Sequence, residues 1–282
     1  MLKHVLPNVA VFAFVTTMSV TTIPSPQALQ QIRQDALYQR DDHSFPAPPP
    51  DKQENVEEHS HGIVSHGPRT DKKVALTFDA DMNPYMKHLH DSGTVSSWYN
   101  NDLIQELIRT NTKATLFLSG MWIEMYPDIT KKLADNPLFE LSNHSYSHPS
   151  FDGHCYGLSQ LPDSQDEAEI ERTQKLLQTI AGVDNSYFRF PGGCYGEADL
   201  AVVAKLGMRA IQWDVVGDDG FTTDTQHIIQ NVLNRTQNGS IIVLHMHGGP
   251  NAPKTAEAIP TVISELTQRG FTFVKISELL EQ

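Results

Sequence analysis

The amino-acid sequence predicts an α/β protein in which about seven parallel strands form a closed or nearly closed barrel. Short apolar runs alternate with amphipathic helical segments from Lys72 onward, as in parallel sheets covered by helices. About 210 residues follow without a long linker, which favours one barrel. The alternative is a doubly wound open sheet. No G-x-G-x-x-G or G-x-x-x-x-G-K-[ST] motif follows any of these strands, so a nucleotide-binding sheet lacks its main support.

The expected elements follow one another in regular order. The strands are VALTF, ATLFLSG, FELS, YFRF, RAIQW, SIIVLH and FTFVKI. The helices between them are NNDLIQELIRT, IEMYPDITKKLADN, DSQDEAEIERTQKLLQTIAG, EADLAVVAKLG, DTQHIIQNVLNRT and APKTAEAIPTVISELTQRG. Asp163 or Ser164 is expected to begin the long third helix and Gly182 to end it. Pro260 is expected to kink or split the last one.

The first 70 residues differ in composition from the rest. Lys3 precedes an apolar run, Val9–Val15, that is typical of an export signal and too short to span a membrane. We expect residues 1–28 to be a signal peptide, 29–70 a Pro- and His-rich disordered linker, and 71–282 the barrel. The protein would then be secreted or periplasmic, with no membrane span in its mature form.

The net charge bears on the class of partner, and the two cysteines bear on a disulfide. The net charge is −13, and no basic patch offsets it, which argues against a nucleic-acid partner. The two cysteines, Cys155 and Cys194, would be free thiols in a cytosolic protein. In an exported protein we expect them to form a disulfide, because both follow strands, the third and fourth, on the same face of the barrel. The sequence does not indicate an oligomeric state.

Reactive side chains collect where the predicted strands end, which is the active-site end of a parallel barrel. They are Asp79, Asp81, His144, His148, Arg189, Trp213, Asp214, Asp218, Asp219, His245 and His247.

Two of these histidines have the spacing of metal ligands. His144 and His148 are four residues apart, so on one helical turn both rings would point the same way. Two histidines and one carboxylate from the first strand would leave open positions on the metal, as in hydrolytic sites. The alternative is a pair of polar residues in a surface loop.

The other residues suit acid–base chemistry. One of Asp79 and Asp81 could bind metal while the other acts as a general base; the alternative is a capping turn. Arg189 could orient a carboxylate through a bidentate pair, or form an ordinary salt bridge. Amides of the Pro191-Gly192-Gly193 turn could face an oxyanion. His245 could protonate a leaving group or be a buried core histidine. His247 receives no role.

The ordered motifs TFDADM, SNHSYSHP, FRFPGG, WDVVGDD and IVLH resemble the polysaccharide deacetylases of carbohydrate esterase family 4, from about Lys72 to Gln282. The resemblance implies a distorted (β/α) barrel of seven or eight strands. It implies a divalent metal held by one aspartate and two histidines, which we expect to be zinc, with cobalt, nickel and manganese as alternatives. The reaction would be hydrolysis of an N-acetyl group, or in some members an O-acetyl ester, on an acetylated glycan.

The resemblance also implies roles for single residues. Asp79 would be the general base, oriented by Arg189, and His245 the general acid, tuned by Asp219. Asp81, His144 and His148 would bind the metal. The oxyanion and substrate group would comprise Gly192, Gly193, Tyr195 and Trp213. The functional alternatives are an amidohydrolase acting on a small non-sugar amide and a non-catalytic carbohydrate-binding barrel.

The sequence departs from the family pattern at three places. Ala80 separates two aspartates that are usually adjacent. Gly192 stands where an aromatic residue usually follows the proline. Gly220 and Phe221 stand where a tryptophan usually follows the last aspartate. The first departure concerns the metal ligands, and the other two concern the wall that contacts the sugar.

Overall fold

The computed structural model describes residues 62–153 and 155–281. The expected signal peptide and most of the expected linker lie outside these residues. Within them, no helix is long and apolar enough to cross a membrane.

Eight strands form one sheet in which every pair is parallel. They are β1 (Lys73–Ala80), β2 (Ala114–Leu118), β3 (Phe139–Asn143), β4 (Tyr187–Phe188), β5 (Arg209–Ala210), β6 (Val215–Val216), β7 (Ile241–His245) and β8 (Thr272–Val274). Their order is β5-β4-β3-β2-β1-β7-β6, and β8 pairs with the first residues of β1. The predicted α/β fold class and the predicted distorted parallel barrel are confirmed.

Helices connect the strands and cover the outside of the sheet. They are α1 (Pro84–Asp91), α2 (Asn101–Arg109), α3 (Gly120–Met125), α4 (Pro127–Ala134), α5 (Asp166–Leu176), α6 (Glu197–Lys205), α7 (Thr225–Arg235), α8 (Thr255–Gln268) and α9 (Ile276–Leu280). The sequence did not predict α1. This helix begins at Pro84, and the Asn83 side chain caps it by accepting a hydrogen bond from the Met86 amide at 2.8 Å. The long helix expected to end at Gly182 is α5. It continues into a π turn, Leu177–Ala181, and ends before Gly182 as expected. Of the two alternatives expected at Pro260, a kink or a split, the split is not seen, since α8 continues through that residue.

The barrel is closed by irregular segments rather than by paired strands. The predicted strand RAIQW is regular only over β5. Beyond it, the Gln212 amide bonds to the Val64 carbonyl at 2.8 Å and the Asp214 amide to the Ile241 carbonyl at 3.3 Å. The chain therefore crosses from the β4 edge to the β7 edge, where β6 forms. The described residues 62–70 take part, because Val64 bridges Ile211 and His66 bridges Ser240.

The central strand β1 is buried on both sides, and its alternate residues have different surroundings. Val74, Leu76, Phe78 and Ala80 all pack into the main hydrophobic cluster with residues of the outer helices. Ala75 belongs to a second cluster with Phe117, Ile211, Ile241, Ile276 and Leu279. Thr77 and Asp79 follow Ala75 on that second face, which points the end of β1 toward the site.

Candidate active site

A cavity opens at the carboxyl ends of the strands. Its lining includes Asp79, Asp81, His144, His148, Gly192, Trp213, Asp218, Asp219, His245 and His247. Most of the residues singled out in the sequence therefore meet in one place. Asp214 does not line it; its carboxylate pairs with Arg69 at 2.8 Å and accepts the Ile241 amide at 2.8 Å.

The residue between the two aspartates explains how both reach the cavity. Side chains two apart in a strand share a face, so Asp79 and Asp81 point inward while Ala80 is fully buried in the outer core. The Ser119 hydroxyl and amide donate to the Ala80 carbonyl at 2.9 and 3.2 Å. These bonds extend strand geometry up to Asp81.

Asp81, His144 and His148 place three potential metal ligand atoms within 4.8 Å of one another. Asp81 Oδ1 lies 3.4 Å from His144 Nε2 and 3.3 Å from His148 Nε2. That oxygen is buried and has no hydrogen-bond partner among the described residues. A buried carboxylate oxygen without a partner is costly, and one aspartate and two imidazoles are a donor set for zinc or a similar divalent ion. These residues fit the metal that the resemblance implies.

The charges around Asp81 support this interpretation. Burial raises its pKa, but the neighbouring imidazoles of His148, His247 and His144 hold that pKa well below its usual range. The carboxylate is therefore ionised, as a metal ligand must be.

The two histidines are presented by a loop and not by a helical turn, which corrects the sequence interpretation. Ser145 and His148 both have positive φ angles, 61° and 54°, so the SNHSYSHP segment doubles back after β3. Two points of attachment hold this shape. The Gly120 amide of α3 donates to the Ser145 carbonyl at 2.9 Å. Glu169 of α5 accepts the Tyr146 and Ser147 amides at 3.0 and 2.7 Å.

His144 has a fixed tautomer. Its Nδ1 lies 2.8 Å from the Arg189 carbonyl, so Nδ1 carries the hydrogen and donates it. The lone pair of Nε2 is then directed at Asp81 and the cavity. This second contact is what orients an imidazole as a metal ligand.

Arg189 is fully buried behind Asp79. Its Nη1 donates to Asp79 Oδ1 at 2.6 Å and to Thr77 Oγ1 at 2.9 Å. Other guanidinium nitrogens donate to the Ile211 and Gln212 carbonyls, so the expected bidentate pair is replaced by a single charged bond. Burial lowers the pKa of Arg189 and Asp79 raises it, the net direction being downward. The contact holds Oδ1 and turns Oδ2 toward His144 Nε2, 3.8 Å away.

His245 and Asp219 form a second charged pair on the opposite side of the cavity. His245 Nδ1 donates to Asp219 Oδ1 at 2.8 Å, and Asp219 Oδ2 accepts the His245 amide and the Thr255 hydroxyl. Burial lowers the pKa of His245, but Asp219 outweighs it and raises that pKa to about 10. The ring therefore carries a proton on Nε2, which lies 3.8 Å from Asp81 Oδ2.

Two residues near the site were given no role from the sequence. His247 is buried, its Nδ1 lies 4.0 Å from Asp81 Oδ2, and burial lowers its pKa to about 4. Its place two residues after His245 was the only available signal, because alternate residues share a face. Glu169 lies in a helix more than 20 residues after the loop that it holds, and no local pattern marks it.

The two glycines of the FRFPGG turn have different surroundings. Gly192 lines the cavity, and no hydrogen bond from its amide to another described residue is seen. The Gly193 amide donates to the Phe190 carbonyl at 3.0 Å, and its α-carbon faces the Trp213 ring. Tyr195 does not line the cavity; it stacks on Phe190 with ring centroids 5.1 Å apart. The expected disulfide is confirmed, since Cys155 and Cys194 are bridged at a sequence separation of 39.

Comparison with known proteins agrees with this geometry. The polysaccharide deacetylase family model matches residues 66–211, which is more than half of the chain. A peptidoglycan-N-acetylglucosamine deacetylase of Bacillus cereus is 29% identical over 217 residues, covering 76% of this chain and 70% of that protein. The enzyme PgdA of Listeria monocytogenes is 27% identical over 75% of this chain, which is 39% of its own length.

Solved structures show the same fold. The Bc1960 peptidoglycan N-acetylglucosamine deacetylase superposes with a TM-score of 0.65 at 26% identity, covering 77% of this chain and 92% of that chain. A CE4 family pseudoenzyme of Bacillus anthracis gives the same TM-score at 23% identity, covering 79% and 70%. That likeness shows the fold alone, so activity has to be argued from the residues of the site. On the match of the family model, the chain belongs to the polysaccharide deacetylase family, hydrolases that act on carbon–nitrogen bonds other than peptide bonds.

Proposed function

We propose that the protein removes N-acetyl groups from amino sugars of an acetylated glycan, with a divalent metal held by Asp81, His144 and His148. The observation that carries the proposal is the buried, unpartnered Asp81 Oδ1 facing two imidazole nitrogens, with Asp79 and His245 on either side. A divalent ion bound there would act as a Lewis acid toward the water and the acetyl carbonyl. Zinc is the ion we propose, because the donor set is two nitrogens and one oxygen.

Asp79 is the proposed general base. Arg189 holds Oδ1 through a 2.6 Å bond, so Oδ2 is presented in one orientation to a water in the cavity. Taking a proton from that water makes it a nucleophile for the acetyl carbon. Gly192 lines the cavity, and its amide is the proposed backbone donor to the oxygen on which negative charge develops.

His245 is the proposed general acid. Asp219 keeps its ring charged and fixes Nδ1, so the proton to be transferred sits on Nε2, which faces the cavity. Expulsion of an amine needs that proton, because an unprotonated amide nitrogen is a poor leaving group.

The proposed substrate class is a polymer or oligomer that contains N-acetylated amino sugars. The names of the relatives support it, since the Bacillus cereus protein is a peptidoglycan-N-acetylglucosamine deacetylase. A bifunctional xylanase/deacetylase of Pseudobutyrivibrio xylanivorans is also 29% identical over 74% of this chain. O-deacetylation therefore belongs in the same test. We propose that the protein acts outside the cytoplasm, as the export-type N-terminus and the disulfide suggest.

Acetate release from a panel of acetylated glycans tests the function. The panel is N-acetylated chitooligosaccharide, peptidoglycan and acetylated xylan, each with and without chelator. Release from a glycan that stops with chelator and returns with added zinc is the expected result. Release only from small non-sugar amides would favour the amidohydrolase alternative. Binding of glycans without any release would favour the non-catalytic barrel.

A further inference from the structure

The loop that follows the metal-binding histidines folds across the FRFPGG turn. The Ser150 amide donates to the Ser159 carbonyl at 2.9 Å, and the Leu158 amide to the Cys155 carbonyl at 2.8 Å. The Cys155–Cys194 disulfide ties this loop to the residue after the turn. The loop is therefore held at its two ends by the bond between Ser150 and Ser159, and within it by the disulfide of Cys155, next to the cavity.

The turn leaves room for this loop only because residue 192 is glycine. A β-carbon there would lie 2.5 Å from Cys155 Sγ and 3.1 Å from Tyr156 Cδ2. Gly192 also has a φ angle of 62°, which disfavours other residues. The space beside the turn, where a larger side chain at 192 would stand, is occupied by Tyr156 and its neighbour Leu158.

A second aromatic ring stands beside Tyr156. The ring centroids of Tyr156 and Phe221 are 5.7 Å apart, tilted by 54°. Both residues line the same cavity as Asp81 and His245, and Phe221 is 39% exposed. Gly220, the residue before Phe221, lies against the proposed acid, since a β-carbon at 220 would lie 3.2 Å from His245 Cε1. The pair thus forms an apolar wall beside the reacting groups.

We propose that Tyr156 and Phe221 form a stacking platform that binds a pyranose ring of the glycan, and that the Cys155–Cys194 disulfide positions Tyr156 in it. The proposal rests on the proposed function. Pyranose rings have an apolar face of C–H groups, and packing it on aromatic rings removes apolar area from water. The polar residues of the same cavity then meet the acetyl group. Because the aromatic pair contacts the sugar ring and the polar residues contact the acetyl group, we expect the platform to contribute to binding of oligosaccharides and little to the chemical step.

Kinetics on two substrates test the platform in the full-length, metal-loaded protein. For Tyr156→Ala and Phe221→Ala we expect the KM for tetra-N-acetylchitotetraose to rise about tenfold, the equivalent of about 1.4 kcal/mol, with little change in kcat. Hydrolysis of p-nitrophenyl acetate, which has no sugar ring, should change much less than the KM for the tetrasaccharide. Tyr156→Phe should retain most of the affinity. Tyr85→Ala is the matched control, because Tyr85 is an exposed aromatic residue of α1 outside the cavity lining.

Binding to an inactive variant separates this proposal from the proposed function. Calorimetry with the tetrasaccharide compares Asp79→Asn with the double variants that add Tyr156→Ala or Phe221→Ala. A weaker affinity in both double variants supports the platform even if the wild type releases no acetate, which would count against the proposed function alone. Unchanged affinity, or no binding by Asp79→Asn itself, would overturn the platform.

The role of the disulfide needs its own variant. Replacing both cysteines, Cys155→Ser with Cys194→Ser, should raise the KM for the tetrasaccharide like Tyr156→Ala and leave zinc content unchanged. Circular dichroism checks that the variant is folded; if it is not, reduction of the folded wild type with a phosphine gives the same comparison. A normal KM after loss of the bridge would show that the disulfide does not position Tyr156.

Discussion

Two pairs of buried aspartates in this molecule lie in contrasting surroundings. Asp79 and Asp81 end the central strand, among Arg189 and four histidines. Asp166 and Asp199 lie between α5 and α6, where their neighbours are further acids and the Gly196 amide, which donates to Asp199 at 2.7 Å. Both pairs are buried or nearly so, which is costly for carboxylates.

The two pairs avoid that cost in opposite ways. Near Asp81, cationic and imidazole groups favour the charged form and lower its pKa. Between the helices, burial, Asp199 and Asp163 raise the pKa of Asp166 to about 7, so it keeps a proton and shares it with Asp199. The surroundings therefore keep Asp81 charged in the site, whereas they keep Asp166 protonated between the helices. The predictions below test this difference.

The largest effect is expected for Asp79→Asn. Removal of a general base should lower kcat on an N-acetylated oligosaccharide by about 10²–10⁴ and leave zinc bound. Metal content by plasma mass spectrometry and acetate release are measured together. Recovery of activity in excess zinc would show that Asp79 is a ligand instead.

Asp81→Asn should act on metal first. Because a neutral amide is a poor substitute for an ionised ligand, we expect zinc affinity to fall by at least about 10² and the rate to return partly in excess zinc. Competition with a chromogenic chelator gives the affinity. If zinc binds normally to both Asp79→Asn and Asp81→Asn, neither acid is an essential ligand.

His245→Ala should distinguish substrates. We expect a loss of about 10² or more on the N-acetyl substrate, and a much smaller loss on p-nitrophenyl acetate, whose leaving group needs no proton. The ratio of the two losses is the measurement. Equal losses would indicate a structural role for the His245–Asp219 pair.

Glu169→Gln should affect the proposed metal site from a distance. Glu169 accepts two amides of the histidine loop, and an amide side chain can replace only part of this. We expect zinc affinity to fall by about tenfold. Glu171→Gln, an exposed change in the same helix, is the control. Equal affinities would show that the loop keeps its shape without Glu169.

The smallest effect is expected for Asp166→Asn, in the pair outside the site. The folded state holds a proton between about pH 4 and pH 7 that the unfolded chain has lost, so this group makes stability fall as pH rises through that window. The variant should melt a few degrees higher than wild type at pH 8, since about 1 kcal/mol corresponds to roughly 2–4 °C in a domain of this size. At pH 4.5 the difference should be much smaller, and activity should stay unchanged. An equal gain at both pH values, or the same gain in Asp163→Asn, would contradict the shared proton.

The sequence by itself determined the order of the strands and helices, apart from α1 and β6, and which reactive residues end the strands. The spacing of apolar residues and the position of turn residues indicate each element locally. In a parallel barrel, the carboxyl ends of strands that are far apart in sequence meet at one face. The pairing of Cys155 with Cys194 followed from the same reasoning. Alternation along β1 also implies that Asp79 and Asp81 share a face, although Ala80 first looked like an interruption.

The tertiary structure alone decided how the loops present their side chains. The i, i+4 spacing of His144 and His148 suggested a helix, but the loop takes its shape from Gly120 and Glu169, which are distant in sequence. Tyr195 faces Phe190, while Tyr156 occupies the space beside Gly192. Local patterns encode burial and period within an element. Which side chain enters a cavity depends on contacts between elements, and these are formed only when the barrel closes.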